Sequence, residues 1–172
     1  RLHRQLQDIT DRFFSFFEWT SIDEFYADTT RLQTRHPDPR ELGQALKIDI
    51  TRVTGLTCTI ALASGKTVAK IAADAHKPDG LAVIEPGSEA AFLAPLPIRS
   101  LPGMGPKSTE AIERLGIHTV GDLLEPRFEQ SLIRLLGSRL AAFQSLARGH
   151  DSDPVVADRE AKSMSHETTF DE

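Results

Sequence analysis

The 172-residue chain predicts an α+β fold, with a mixed sheet flanked by helices followed by a small all-helical region. Three observations carry this expectation. Up to about Ala94, stretches with helical periodicity alternate with short β-branched or aromatic runs. From Pro95 to His150 the strand-like texture disappears, and short helical stretches punctuated by Gly and Pro take over. No self-similarity at the period of a solenoid runs through the sequence.

Taken in order, Leu2, Leu6, Ile9 and Phe13 recur at helical spacing, so residues 1–14 predict a helix. Residues 16–30 are rich in aromatic and β-branched side chains and predict two strands, broken at Ser21-Ile22-Asp23-Glu24. Pro37 and Pro39 mark residues 35–40 as a loop. Leu42, Leu46, Ile50 and Val53 share one face of a helix over 41–53, which Gly55 ends. The apolar run 56–63 predicts a buried strand. A short helix over 66–76, a turn at Lys77-Pro78-Asp79-Gly80 and a strand over 81–84 follow. Beyond Pro95, Pro106 fits a first helical position, with a helix over 108–115 and another over 120–124. The polar segment 151–158 predicts a linker, and 162–170 the start of a strand. Domain limits therefore fall at 1–94, 95–150 and 151–172.

Bulk properties exclude several classes. No apolar run approaches the ~20 residues of a membrane span, and no secretory signal pattern is present. The single cysteine, Cys58, excludes an internal disulfide framework and fits a reducing, cytoplasmic setting. Its place in an apolar run predicts a small buried side chain. The scattered histidines do not make a zinc site. The net charge of −5 runs against the basic faces of nucleic-acid-binding proteins. A nucleic-acid partner therefore requires positive charge that is local or that lies in other parts of a longer protein.

Three constellations carry chemistry. Asp23 and Glu24 are adjacent acids between two strands. Neighbouring side chains of a regular strand point to opposite faces, so adjacent acids converge on one ion only where the pleat breaks. Hard oxygen ligands there suit Mg²⁺ held together with substrate phosphates, though two acids on a turn can equally face water. Asp28 is a weaker third candidate, more readily structural. Lys66, Lys70 and Lys77 follow a buried strand and can hold a triphosphate as point charges, or form one face of a solvated helix. In Leu101-Pro102-Gly103-Met104-Gly105-Pro106-Lys107, two glycines one residue apart allow a tight turn of unusual φ and ψ. The amides at the turn and the helix start form an anion site suited to a DNA phosphate, read without sequence preference. A plain helical hairpin is the alternative.

These strings, with Ala69-Lys70-Ile71-Ala72-Ala73-Asp74 and Leu115-Gly116-Ile117-His118-Thr119-Val120-Gly121-Asp122-Leu123, resemble Y-family DNA polymerases, closest to the DinB or DNA polymerase IV group. The similarity covers essentially the whole chain, with Lys162-Ser163-Met164-Ser165-His166-Glu167 resembling the strand that opens the little finger. The resemblance implies a partial palm with mixed sheet and helices over 1–94, a helix-hairpin-helix thumb over 95–150, and the linker with the first little-finger strand over 151–172. It implies template-directed, low-fidelity translesion synthesis, with primer–template DNA and a deoxynucleoside triphosphate as partners and two Mg²⁺ ions in the complete enzyme. Contact with a sliding clamp is assigned to regions outside this sequence. Asp23 and Glu24 would be catalytic metal ligands, Lys77 a contact to the nucleotide's phosphates, and Gly103, Met104, Gly105 and Lys107 the grip on the DNA backbone. Non-catalytic polymerase-like scaffolds and stand-alone helix-hairpin-helix modules are the competing classes. Retention of Asp23, Glu24 and Lys77 speaks against the first, and the palm-like strings before Pro95 against the second.

The sequence departs from the family in Phe25 and Ala27 within the acidic motif, and in Gly65, where Asn is usual before Lys66. The family's first metal-binding Asp and its fingers would lie before Arg1, and most of its little finger after Glu172. On that resemblance, the polypeptide alone is expected not to extend a primer.

Overall fold

A computed structural model of the chain describes residues 1–32 and 37–157. Its first layer is built by α1 (Leu2–Phe13) against α2 (Pro39–Thr54). Asp38 caps α2 by accepting from the Arg40 amide at 2.8 Å, Pro39 occupies the first turn, and Gly55 ends the helix at φ 74°. Helix α2 thus starts two residues before the predicted Glu41 because Asp38 and Pro39 form its start signal. Its face of Leu42, Leu46 and Ile50 packs on Ile9 and Phe14, as the periodicity implied.

The strands pair as two short ribbons. Strands β1 (Phe17–Trp19) and β2 (Phe25–Ala27) are antiparallel, with Glu18 opposite Tyr26. Strands β3 (Ile60–Leu62) and β4 (Leu81–Val83) are parallel and joined by α3 (Lys66–Ala75), a βαβ unit. Each strand is shorter than predicted because ladder pairing extends over only three positions. Leu56, at the head of the predicted strand 56–63, is exposed instead. Ala61 and Ala82 pack with α3, whereas Ile60 and Leu62 pack with α2, so the two helices cover opposite faces of the parallel pair.

A short helix that the sequence reading left unassigned, α4 (Glu89–Leu93), leads into the helical region. There α5 (Pro106–Glu113), α6 (Glu129–Leu136) and α7 (Leu140–Ala147) alternate with 3-10 turns, and an isolated bridge between Pro97 and Thr119 is the sole β pairing among the described residues there. The mixed-then-helical order of the sequence reading holds. The larger hydrophobic cluster passes without a gap from Val68 and Ile71 of α3 through Leu93 to Ile98, Leu123 and Phe143. Fully burying one such aliphatic side chain is worth about 1.5–3 kcal/mol, so this continuity fixes the helical region against α3. The strand expected at 162–170 lies outside the described residues. Among the described residues no helix is long and apolar enough to cross a membrane.

Candidate active-site cleft

The acidic pair sits on the tight connection between β1 and β2, outside both ladders. The Thr20 amide and hydroxyl both donate to the Glu24 carbonyl, at 2.9 and 3.2 Å, which closes the turn. The Ser21 hydroxyl donates to the Asp23 carboxylate at 2.6 Å. Asp23 is exposed, and Glu24 forms an ion pair with Lys70. The break in the pleat is therefore present, while the two carboxylates take different partners. Asp28 forms an Asx turn, accepting from the Thr30 amide at 2.8 Å. Hydrogen bonding from the Thr30 hydroxyl, and then from its amide, holds the Asp28 carboxyl below its ordinary value. Among the described residues no three His, Cys, Asp or Glu side chains group as a metal site.

Helix α3 carries the charge onward. From Glu24 an ion-pair ladder runs to Lys70, to Asp74 at 3.8 Å and on to Lys77 at 2.7 Å. The hydrogen bond that Lys70 donates to Glu24 raises the Lys70 pKa. Lys66 is differently placed. Its ammonium donates to buried Glu18 at 2.8 Å and to the Pro154 carbonyl at 3.1 Å, and it pairs with Asp153 at 3.0 Å. These acceptors take all three of its protons. Burial works against the Lys66 charge, but the bonds to Glu18 and Asp153 outweigh it and raise the pKa. The ammonium also lies 5.2 Å from the Tyr26 ring centroid. Burial, and then the charge of Glu24, push the Tyr26 hydroxyl pKa up.

A cleft of about 460 Å³ opens between these parts. One wall is Thr20 and Tyr26 beside the acidic turn, the floor is α3 from Lys66 to Asp74, and the other wall is Ser100, Leu101 and Pro102. Lys77 is not among its lining residues and stands beyond Asp74 at the rim.

The glycine hairpin follows directly on the second wall. Gly103 adopts φ 81° and so needs to be glycine, whereas Gly105 has an ordinary φ of −70° with nothing within 4 Å of a built Cβ. The unusual geometry expected of both glycines belongs to Gly103 alone. Met104 is buried, and its amide donates to the Leu101 carbonyl, so its side chain belongs to the core. The first bond of α5 runs from the Thr109 amide to the Gly105 carbonyl, leaving the Lys107 and Ser108 amides ahead of the ladder. Lys107 is exposed beside them.

Comparison with known proteins agrees with this arrangement. Residues 1–74 match the impB/mucB/samB family (IMS), and residues 86–117 match the IMS family HHH motif. The chain belongs to the IMS, or Y-, family. It is 48% identical over 133 residues to a DNA polymerase IV of Streptomyces coelicolor, covering 77% of this chain and 28% of that protein. With a DNA polymerase IV of Methanoculleus marisnigri it shares 44% over 154 residues, covering 90% of this chain and 42% of the relative. The chain thus spans less than half the length of these curated relatives. Its fold matches the crystal structure of a DinB family error-prone DNA polymerase from Sulfolobus solfataricus with a TM-score of 0.78 at 30% identity, over 90% of this chain and 46% of that one. An insertion ternary complex of Dbh DNA polymerase matches equally well, with a TM-score of 0.78.

Within this Y-family chain, sequence reasoning missed a strap. Residues 151–156 lie against the head of α3 and not free of it. The Asp151 carboxylate accepts from the Thr67 amide at 2.6 Å, capping α3 from outside its own sequence. The Val156 amide donates to Glu18 at 3.1 Å. A Cβ at Gly65 would stand 2.8 Å from the Cβ of Asp151, so glycine at this position makes room for the cap. Burial disfavours the Asp151 charge, but the Thr67 and Asp153 amides outweigh it and lower its pKa. Glu18 left one local signal, an acid alternating with Phe17 and Trp19 in a strand. Asp151 left none, since its partner is 84 residues away.

Proposed function

We propose that this chain supplies palm and thumb elements of a DNA-directed DNA polymerase of the low-fidelity translesion type. The observation that carries the reading is the ladder from Glu24 through Lys70 and Asp74 to Lys77, which ties the acidic turn to the Lys77 turn along one face of α3. In the domain division proposed here, 1–94 is partial palm, 95–150 thumb and 151–172 linker with the first strand of the little finger.

Asp23 and Glu24 are hard oxygen donors at a turn, a chemistry that fits Mg²⁺. No third acidic or imidazole ligand joins them among the described residues, so they form one side of a donor set. When bound, the metal would neutralise charge on the phosphates and on the attacking and leaving oxygens. To hold a metal, Glu24 would give up the Lys70 ammonium, which would stay paired with Asp74. Lys77, at the rim, contacts the phosphates of the incoming deoxynucleoside triphosphate. The Lys107 and Ser108 amides, the Lys107 ammonium and the exposed Gly105 backbone receive a phosphate of the primer–template duplex. Such a grip reads backbone and not bases, as lesion-tolerant copying requires.

The test is primer extension by a full-length polymerase carrying this segment. Asp23→Asn and Glu24→Gln should each abolish extension while leaving duplex binding intact. Extension that survives both changes refutes the reading.

A further inference from the structure

Lys47 lies on α2, on the opposite face of the β3–β4 pair from the α3 ladder. Only 12% of its side chain is exposed. Its ammonium donates to the carbonyl of Cys58 at 2.5 Å, to the carbonyl and carboxylate of Asp79 at 2.8 and 2.5 Å, and to the Gly80 carbonyl at 3.2 Å. One cation thus gathers Cys58, two residues ahead of β3, and the far half of the turn at 77–80. Asp79 is the one non-glycine with positive φ among the described residues, at 52°. The turn folds so closely on the end of α3 that a Cβ at Gly80 would stand 2.1 Å from the His76 carbonyl. Without an ammonium between them, the converging oxygens of residues 58, 79 and 80 repel one another, and the turn is left with the Ile60 amide donating to the Gly80 carbonyl at 3.1 Å and the Gly80 amide donating to the Thr59 hydroxyl at 3.3 Å, neither of which holds Asp79.

Lys77 is two residues from Asp79 in this turn. Its own head is 57% exposed and points back to Asp74 at the edge of the cleft. Its backbone is therefore held from behind, while its charge is displayed in front. We propose that Lys47 is a positioning residue for the nucleotide's phosphates. It fixes the 77–80 turn so that the Lys77 ammonium is presented at the cleft rim before the nucleotide arrives. A flexible lysine stem binds an anion more weakly when its backbone is also mobile, because ordering both opposes binding. The inference rests on the assignment of Lys77 to the triphosphate.

The experiment is a double-mutant cycle in a full-length polymerase carrying this segment, with Lys47→Met, Lys77→Ala and the pair. Nucleotide KM, kcat, duplex affinity and thermal stability are measured for each. Lys47→Met should raise the nucleotide KM roughly tenfold, a part of what one charge-assisted contact is worth, with kcat and duplex affinity little changed. The double variant should be no worse in KM than Lys77→Ala alone, since both changes remove one contact. Lys47→Arg should recover part of the loss, its planar fork fitting the converging oxygens only in part. If Lys47→Met does not fold, Asp79→Asn takes its place. It tolerates the positive φ, removes only the carboxylate contact, and should give a smaller KM rise with the same lack of additivity. Normal KM in the folded Lys47 or Asp79 variants, or effects that multiply with Lys77→Ala, overturns the positioning role while leaving Lys77 assigned. Normal KM in Lys77→Ala overturns the phosphate contact itself and this inference with it.

Discussion

Replacing Lys66 by Met tests how the strap and the first ribbon hold together. Glu18 is 2% exposed, and the Lys66 ammonium at 2.8 Å is its cationic partner. Met keeps the stem's length and packing but leaves a buried carboxylate without that charge. Removing one partner of a buried pair costs about 3–5 kcal/mol. The cleft beside Lys66 admits water to one side, so the lower half of that range, about 3–4 kcal/mol, is expected. For a chain of this size each kcal/mol moves Tm by about 2–4 °C, which gives a fall of about 6–16 °C. Differential scanning calorimetry of the wild type, Lys66→Met and the Glu18→Gln/Lys66→Met pair measures all of this. The pair removes the carboxylate's charge as well and should regain most of the lost Tm. A fall of less than about 2 °C for the single change, or no recovery in the pair, refutes the assignment of Lys66 to a structural ion pair.

Other outcomes follow from the same geometry. Gly103→Ala forces an alanine into φ 81° and should cost about 1–2 kcal/mol of stability, read by chemical denaturation. Gly105→Ala should leave stability unchanged, yet weaken duplex binding if a phosphate approaches the bare backbone there, as a filter-binding titration would show. Asp151→Ala should cost about 0.5–2 kcal/mol through the lost cap. Since the folded Asp151 pKa lies below its unfolded value, that stabilisation is complete above about pH 4 and is lost as pH falls through the folded value. The Tm gap between wild type and Asp151→Ala should therefore close in acid, and a gap unchanged at about pH 2 contradicts the linkage. Lys77→Ala in a full-length polymerase should raise nucleotide KM or lower kcat by the equivalent of about 1.5–3 kcal/mol, the worth of a charge-assisted hydrogen bond.

Local signals gave the order of elements and most of their kinds. Helix α2 was legible from its apolar face and Gly55 stop, while its Asp38 and Pro39 start signal falls in a stretch that reads as loop, which puts the predicted start two residues late. The acidic turn was legible because it interrupts two aromatic-rich runs. Strand lengths were not, because pairing ends where the partner strand ends, and 56–59 carry the same apolar texture as Ile60–Leu62. The hairpin string correctly marked a tight turn, but composition could not say which glycine carried the positive φ. The roles of Lys66 and Lys70 were hidden for another reason. Helical spacing put them on one face, while their partners Glu18 and Glu24 come from a ribbon 46 to 48 residues earlier. Lys47, which the apolar face of α2 does not mark, is buried by a turn 32 residues away.

The contact between Gly65 and Asp151 has a consequence for how this chain can change over evolutionary time. A side chain at position 65 meets Asp151 at 2.8 Å, and a chain without Asp151 leaves the Thr67 amide short of an acceptor. Neither position can drift alone. A local cap at 65 becomes acceptable only after the downstream segment has moved, and the segment can move only once another cap exists. The two sites form an epistatic pair across 84 residues. A recombinant joining residues 1–94 of this chain to a downstream half without an acid at 151 should inherit an uncapped α3, and one joining this chain's downstream half to an upstream half with a side chain at 65 a steric collision. Exchanges that carry position 65 together with 151–156 should be the ones that survive.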